Sequence, residues 1–161
     1  MKRSTIAVIA ILLALAIGVA VLAILNGKNA EAKQRLRSDA AFMIIIGEVE
    51  HKVTMEEFRA LDLREIQANY KKNGKAPEIR AYTGIPFAEI LRQRNIDLAD
   101  ITKVIFTAAD NYASAITMEE ALNEDNCFIV LDDEAGPFRM ILARDQFSQR
   151  WCGYLTDVDL K

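Results

Sequence analysis

The 161-residue sequence has little of two residue types that build metal and redox sites: one histidine, His51, and two cysteines, Cys127 and Cys152. A single histidine excludes a metal site made of several histidines from one chain. The sequence also lacks a CxxC pair, a GxSxG elbow and a glycine-rich phosphate loop, each of which indicates a particular chemistry. The residues alone therefore predict no metal site and no catalytic residue.

The two cysteines lie 25 positions apart and allow two interpretations. In an extracytoplasmic domain, Cys127 and Cys152 could be oxidised to a disulfide. Alternatively they are two buried thiols, since a free cysteine packs as a small apolar residue. Neither interpretation makes them catalytic.

Most of the chain has no excess of basic residues. Residues 1–38 hold six of the 20 Lys and Arg residues but only one of the 23 acids, so residues 39–161 carry a net charge of about −8. Nucleic-acid phosphates require a basic surface. We therefore expect no nucleic-acid partner.

The acidic run Asp132-Asp133-Glu134 offers the hard oxygen ligands that calcium prefers. It lacks the spaced acids of a dedicated calcium loop, and Gly136-Pro137 follows it closely. We interpret it as a turn.

One long apolar run is present, and it contains no charged or hydrogen-bonding side chain. Ile6 to Leu25, "IAVIAILLALAIGVAVLAIL", is long enough as a helix to cross a hydrocarbon core of about 30 Å. A buried core helix is one alternative, but such a helix would carry a polar face and this run has none. A cleaved signal peptide is the other alternative, with Ala30-Glu31-Ala32 as its cleavage site, but the apolar run exceeds the usual length of roughly 7 to 15 residues. We expect an uncleaved anchor.

This anchor divides the chain into residues 1–27 (transmembrane anchor or signal peptide), 28–41 (juxtamembrane spacer) and 42–161 (globular domain). Charge counting across the membrane slightly favours a cytoplasmic domain, because four Lys and Arg residues, offset only by Glu31, follow the run, whereas Lys2, Arg3 and the amino terminus precede it. The short basic head, Lys2-Arg3, has the form of a signal anchor. We expect a single-pass cell-membrane protein whose C-terminal domain is extracytoplasmic.

Residues 42–161 show short strand patterns separated by short helix patterns. The expected strands are "AFMIIIGEVEHKV" with a bend or bulge at Gly47, a hairpin of "REIQANYKK" and "EIRAYT", then "ITKVIFTAA", "CFIVLDD", "FRMILA" and "RWCGYLTDVDL". Helices are expected after Thr54 and Thr117, each of which begins a "TMEE" capping box, and in "FAEILRQRN". The predicted class is α+β, a mixed and largely β domain.

The segment "FTAADNYASAIT", residues 106–117, interrupts a strand pattern at Asp110-Asn111-Tyr112. This break is either a ligand-contacting loop or a turn between two strands. Asn111 suits a turn because asparagine tolerates a positive φ better than most residues.

The order of several motifs is more specific than any one of them. They are "GEV", "AYTGIPFAEIL", "DNY", "GPFRM" and "RWCGYL", spread over residues 42–160. In this order they resemble the oxidoreductase molybdopterin-binding domain family, which has the fold of the sulfite oxidase core. The matching positions are Gly47, Val49, Tyr82, Gly84, Ile85, Pro86, Ile90, Leu91, Asp110, Asn111, Tyr112, Gly136, Pro137, Phe138, Arg139, Arg150 and Trp151.

The resemblance implies a sulfite-oxidase-like fold and raises molybdopterin as a cofactor. In catalytic members a cysteine thiolate ahead of the "Y-x-G" element ligates molybdenum, but the interval from Met43 to Tyr82 contains no cysteine. We therefore predict no cofactor from the residues themselves. The resemblance also directs attention to a set of ligand-binding candidates: Arg80, Tyr82, Asp110, Asn111, Tyr112, Arg139, Arg150 and Trp151.

These observations leave three hypotheses for function. The first is a membrane-anchored module that binds a small anionic or pterin-like ligand, or a membrane-protein partner, without molybdenum catalysis. The second is a molybdopterin-dependent oxidoreductase. The third is a structural accessory subunit of a membrane redox complex. For the candidate residues, the alternative is that Tyr82 and Trp151 belong to the core and that Arg139 pairs with a nearby acid.

Overall fold

The computed structural model describes Gly18, residues 39–71 and residues 76–161. Ala40–Lys161 form one compact unit. The predicted anchor, Ile6 to Leu25, lies outside the described residues except for Gly18. Among the described residues, no helix has the length and apolar character needed to cross a membrane.

Nine strands of the compact unit form two sheets. The first sheet contains β1 (Ala41–Ile46), β2 (Val49–Thr54), β5 (Lys103–Ala108), β6 (Ala113–Thr117) and β9 (Leu155–Leu160). Its order is β2-β1-β9-β5-β6. Strands β1 and β9 are parallel, and the other neighbours are antiparallel. Because β9 lies between β1 and β5, the end of the domain completes the sheet that its first strand begins.

The second sheet is antiparallel and carries most of the candidate residues. It contains β3 (Arg64–Tyr70), β4 (Glu78–Pro86), β7 (Cys127–Leu131) and β8 (Phe138–Leu142), in the order β3-β4-β7-β8. The predicted hairpin of β3 and β4 is confirmed. Strand β7 pairs with β4 only from Thr83 to Pro86, so the first half of β4 extends past the end of β7.

Three short helices connect the strands: α1 (Met55–Arg59), α2 (Phe87–Gln93) and α3 (Met118–Leu122). Both predicted capping boxes are confirmed. The Thr54 hydroxyl accepts the Glu57 N–H while the Glu57 carboxylate accepts the Thr54 N–H, and Thr117 and Glu120 repeat the arrangement. Each box satisfies helix N–H groups that would otherwise lack partners. The described residues are thus mostly β with three short α-helices, as the α+β class predicts.

Aromatic rings form the core between the elements. Phe138 of β8 contacts Phe42 of β1 and Phe58 of α1 edge to face, each at a centroid distance of 5.1 Å. Phe87 of α2 contacts Phe106 of β5 in the same way at 5.2 Å. Phe138 therefore joins the two sheets and the first helix at one point.

Two sequence expectations need correction. Gly47 is not a bend within one strand: it has a φ of +59° and begins the two-residue turn of a β1–β2 hairpin. A glycine at the first central position of such a turn matches the twist of the flanking strands. The last strand begins at Leu155 rather than Trp151, because Ser148–Arg150 form a 3-10 turn and Cys152 makes only an isolated bridge to Met140.

Replacing Phe138 by alanine should lower the free energy of unfolding by about 4 kcal/mol, because the side chain is fully buried and its removal leaves a cavity. Ile79→Ala is the matched control, since Ile79 is 71% exposed and should cost less than about 1 kcal/mol. Urea unfolding of both variants measures the difference. Equal losses would contradict the proposed packing.

Candidate functional site

The break at Asp110-Asn111-Tyr112 is a turn between β5 and β6. Asn111 has the expected positive φ, +67°, and its N–H donates to the Ala108 carbonyl at 2.9 Å. The Ala108 N–H donates to the Tyr112 carbonyl at 2.9 Å, and the Asp110 carboxylate accepts the Tyr112 N–H at 3.0 Å. The Asp110 side chain thus closes its own turn.

The β5–β6 hairpin forms hydrogen bonds with the segment that precedes Trp151. The Tyr112 hydroxyl donates to the Gln149 carbonyl at 2.8 Å, and the Ser114 hydroxyl donates to the Arg150 carbonyl at 2.6 Å. Burial raises the pKa of Tyr112, and the nearby Cys152 raises it further. The hairpin therefore supports the position of Trp151.

Two carboxylates bind the Arg150 side chain. Its Nε and Nη2 donate to the two Asp145 oxygens at 2.9 and 2.6 Å, and its Nη1 donates to Glu120 at 3.0 Å. These bonds raise the pKa of Arg150, Asp145 contributing most, and the bond from Arg150 lowers the pKa of Glu120. A guanidinium bound on both edges fastens the 3-10 turn to α3.

Tyr82 and Trp151 are buried and contact each other. Their ring centroids lie 5.8 Å apart in an edge-to-face arrangement, and Tyr70 lies 6.1 Å from Trp151. The Trp151 indole N–H donates to the Leu142 carbonyl at 3.2 Å. Both residues thus belong to the core, as the alternative interpretation has it.

Arg139 forms a buried ion pair with Asp132. Nη1 lies 2.5 Å from Oδ2, and the side chains are only 12% and 7% exposed. The other Asp132 oxygen accepts the N–H groups of Glu134 and Ala135 at 2.7 and 3.2 Å. Asp132 therefore closes the β7–β8 turn and neutralises Arg139, which confirms that Arg139 pairs with a nearby acid.

Two polar side chains of this region are only partly satisfied among the described residues. Neither the Tyr82 hydroxyl nor Arg139 Nε makes a well-aligned hydrogen bond, and Nη1 meets Asp132 as an ion pair. Burial raises the pKa of Tyr82, while the positive charge of Arg139 opposes the shift. The Arg139 side chain also lies close enough to the Tyr82 hydroxyl for a hydrogen bond between them to lower the pKa of Tyr82. A buried polar group without a partner costs about 1 to 3 kcal/mol, so such groups indicate a water or ligand position.

Arg80 lies at the rim of the same region. Its Nε donates to Glu78 at 2.5 Å and its Nη1 to Glu134 at 2.9 Å, and its guanidinium carbon lies 4.0 Å from the centroid of the Tyr70 ring. These bonds raise the pKa of Arg80, the bond with Glu134 contributing most. Arg80 thereby links β4 to the β7–β8 turn across an open groove.

We call this groove the β4 groove; it is lined by Arg80, Ala81, Tyr82, Thr83, Leu131, Asp132, Asp133 and Glu134. It contains one basic and three acidic residues and is therefore net acidic. A free anion is disfavoured there, and a ligand with both acceptor and donor groups is favoured.

The candidate residues thus fall into two groups. Arg80, Arg139 and Trp151 lie around the Tyr70 ring, and Tyr82 contacts Trp151. Asp110, Asn111 and Tyr112 belong to the hairpin of the other sheet, whose Ser114 binds the Arg150 carbonyl. Cys152 lies within electrostatic range of both groups, since Asp110 and Arg139 each act on its pKa.

Sequence reasoning assigned no binding role to Tyr70, Asp132 or Glu134. The alternation of Tyr70 with buried Ala68 and Ile66 on β3 was the available signal. The acids of the β7–β8 turn were recognised as turn residues, but not as partners of arginines. Among the described residues, no group of three His, Cys, Asp or Glu could hold a metal ion.

Cys127 and Cys152 are free, buried thiols, which is the second of the two interpretations that the sequence allows. Cys127 pairs with Leu142 on one edge of β8, and Cys152 bridges Met140 from the other edge. Two residues that flank a common strand are about 9 to 10 Å apart, beyond the roughly 7 Å Cα separation that a disulfide allows.

The two-sheet α+β fold has a distant counterpart among solved structures. The chain is similar to the sulfane dehydrogenase SoxCD from Paracoccus pantotrophus, with a TM-score of 0.64 and 14% identity. The match covers 77% of this chain but only 38% of that one. No family model and no curated protein sequence matches the chain. At this identity the likeness shows the fold alone, and it supports a distant sulfite-oxidase-like fold.

The cysteines do not fit the molybdenum ligand that such a fold implies. No cysteine lies between Met43 and Tyr82. Burial raises the pKa of Cys152 to about 11 and that of Cys127 further. A metal ligand must be a thiolate, and both side chains are held as neutral thiols without solvent access.

Asp132→Asn should lower the free energy of unfolding by about 3 kcal/mol, because it leaves Arg139 as a buried charge without a counter-ion. The control is Asp125→Asn, which removes the exposed ion pair with Arg144 and should cost less than about 1 kcal/mol. Denaturant unfolding at neutral pH compares the two. A small loss for both would show that the buried pair does not fix the turn.

Both cysteines should resist alkylation by iodoacetamide at pH 8 in the folded protein and react after unfolding. Because burial raises the pKa of both thiols, their stabilising contribution is full below pH 9 and falls as pH rises toward 11. Peptide mass mapping with and without denaturant measures the labelling. A disulfide-linked peptide pair would contradict the arrangement around β8.

Proposed function

We propose that the protein is a membrane-anchored, extracytoplasmic binding module of sulfite-oxidase-like fold, and that it binds a ligand or partner without molybdenum catalysis. The single observation that carries this proposal is a pair of buried polar groups that lack well-aligned hydrogen bonds, Tyr82 Oη and Arg139 Nε. Tyr82 lines the β4 groove, and so does Asp132, the ion-pair partner of Arg139. The missing cysteine ahead of Tyr82 supports the absence of molybdenum chemistry.

The chemistry of the groove favours a particular class of ligand. Arg139 Nε can only donate, and the Tyr82 hydroxyl can donate or accept, so the ligand should present oxygen or ring-nitrogen acceptors toward them. The acidic rim, Asp133 and Glu134, favours N–H donors on the opposite side of the ligand. A small heterocycle with carbonyl and amino groups, of the pterin type, has both features.

Anchoring rests on the sequence of Ile6 to Leu25. A helix of 20 apolar residues satisfies its own backbone, as lipid requires. Tethering would keep the groove close to membrane proteins, which are the other class of partner that the hypothesis includes.

Protein purified from alkali-washed membranes of the native host should retain a small molecule that denaturation releases and mass spectrometry detects. Tyr82→Phe keeps the ring but removes one hydrogen bond, so ligand affinity should fall about tenfold. Thr102→Val is the control: it also removes one hydroxyl, whose partner is the Lys161 carbonyl rather than a groove residue, and it should retain the ligand. A chain lacking residues 1–38 should leave the membrane during the wash.

Three results would contradict parts of the proposal. Stoichiometric molybdenum in the wild-type protein would favour the oxidoreductase. Equal ligand retention by wild type and Tyr82→Phe would move the site away from the β4 groove. A co-purifying protein that is lost with residues 1–38, in the absence of a small molecule, would favour the structural subunit.

A further inference from the structure

The first sheet has an open edge at β2, on which the described residues place no other strand. Strand β2 runs from Val49 to Thr54 and pairs with β1 on one side only. Glu50 and Lys52 are exposed on it. An unpaired strand edge is a template for a further strand, so natural proteins either protect it or use it.

The turn of the hairpin determines which backbone groups of β2 point outward. Ile46 and Val49 flank the two-residue turn and form a hydrogen-bonded pair, and such pairs alternate along an antiparallel ladder. His51 and Val53 therefore direct their backbone groups toward β1. Glu50 and Lys52 direct theirs away from the sheet.

The two outward-facing residues carry opposite charges and lie symmetrically about His51. In an antiparallel pair of β2 strands centred on His51, Glu50 of each copy lies opposite Lys52 of the other. These are the residues whose free N–H and C=O groups would form the hydrogen bonds. Opposite charges at directly opposed positions stabilise such a pair, and like charges destabilise it.

We propose that β2 is a homodimer interface in which two copies of the chain pair antiparallel about His51. Self-pairing at the other open strand edges would not place opposite charges at directly opposed positions. A symmetric pair of β6 strands centred on Ala115 contains no charged residue, and a pair of β3 strands centred on Gln67 places Glu65 opposite Asn69. The fourth edge, at β8, is bridged by Cys152.

The interface is small, because two six-residue strands bury less than the roughly 1,000 Å² expected of a stable dimer. Pairing is therefore favoured at high local concentration, and the experiment uses the full chain in its native membrane. The proposal does not depend on the β4 groove, so the two can fail separately.

His51→Cys places a thiol at the centre of the pair, where the two copies form a non-hydrogen-bonded pair with a Cα separation of about 4.5 Å, within disulfide range. Mild oxidation in membranes should produce a cross-linked dimer on a non-reducing gel. Ala115→Cys, at the centre of the open edge of β6, is the matched control. Dimer formation should be at least about fivefold higher for His51→Cys; equal yields would overturn the proposal.

Charge exchange provides the second measurement, in the His51→Cys background. Glu50→Lys and Lys52→Glu each place like charges opposite one another and should reduce cross-linking about fivefold. The double exchange restores opposite charges and should recover the wild-type yield. Thermal unfolding checks that all variants fold. Loss of cross-linking in the double exchange, or no loss in either single variant, would show that the two charges do not specify a self-paired edge.

Discussion

The buried ion pair of Asp132 and Arg139 is the interaction on which the candidate site depends. One Asp132 oxygen binds the backbone of the β7–β8 turn and the other meets the guanidinium. Taking two charges out of water is costly, and only the combined bonds offset that cost. This turn also positions Glu134, whose carboxylate forms an ion pair with Arg80. Asp132 therefore neutralises Arg139 directly and also positions the turn from which Glu134 pairs with Arg80 at the β4 groove.

The remaining candidate residues support this arrangement from the other sheet. The β5–β6 hairpin binds the backbone of Gln149 and Arg150, and Asp145 and Glu120 bind the Arg150 side chain. Trp151 is thereby fixed against Tyr82. Residues at the positions of the resembled motifs thus act as structural supports, and a motif resemblance does not by itself assign a ligand contact.

The position of the cysteines explains why a sulfite-oxidase-like fold is proposed here without molybdenum chemistry. The sulfite-oxidase-like fold is shared in outline with SoxCD, but the thiols of this chain flank β8 and are buried. Two buried polar groups, Tyr82 Oη and Arg139 Nε, lack well-aligned hydrogen bonds. A groove with a few such polar groups is the ordinary form of a small-molecule site, with or without a metal.

The sequence alone determined the features that depend on near neighbours. Both capping boxes, the β3–β4 hairpin and the turn at Asn111 involve residues within a few positions, so local propensity was sufficient. It did not determine which arginines are neutralised, because Glu134 lies 54 positions from Arg80 and Glu120 lies 30 positions from Arg150. It could not decide between a disulfide and two buried thiols for the same reason: a strand that lies between two cysteines is visible only once the sheet has formed. Only the tertiary structure places distant charges in contact, and that contact decides whether an arginine supports the fold or is available to a ligand.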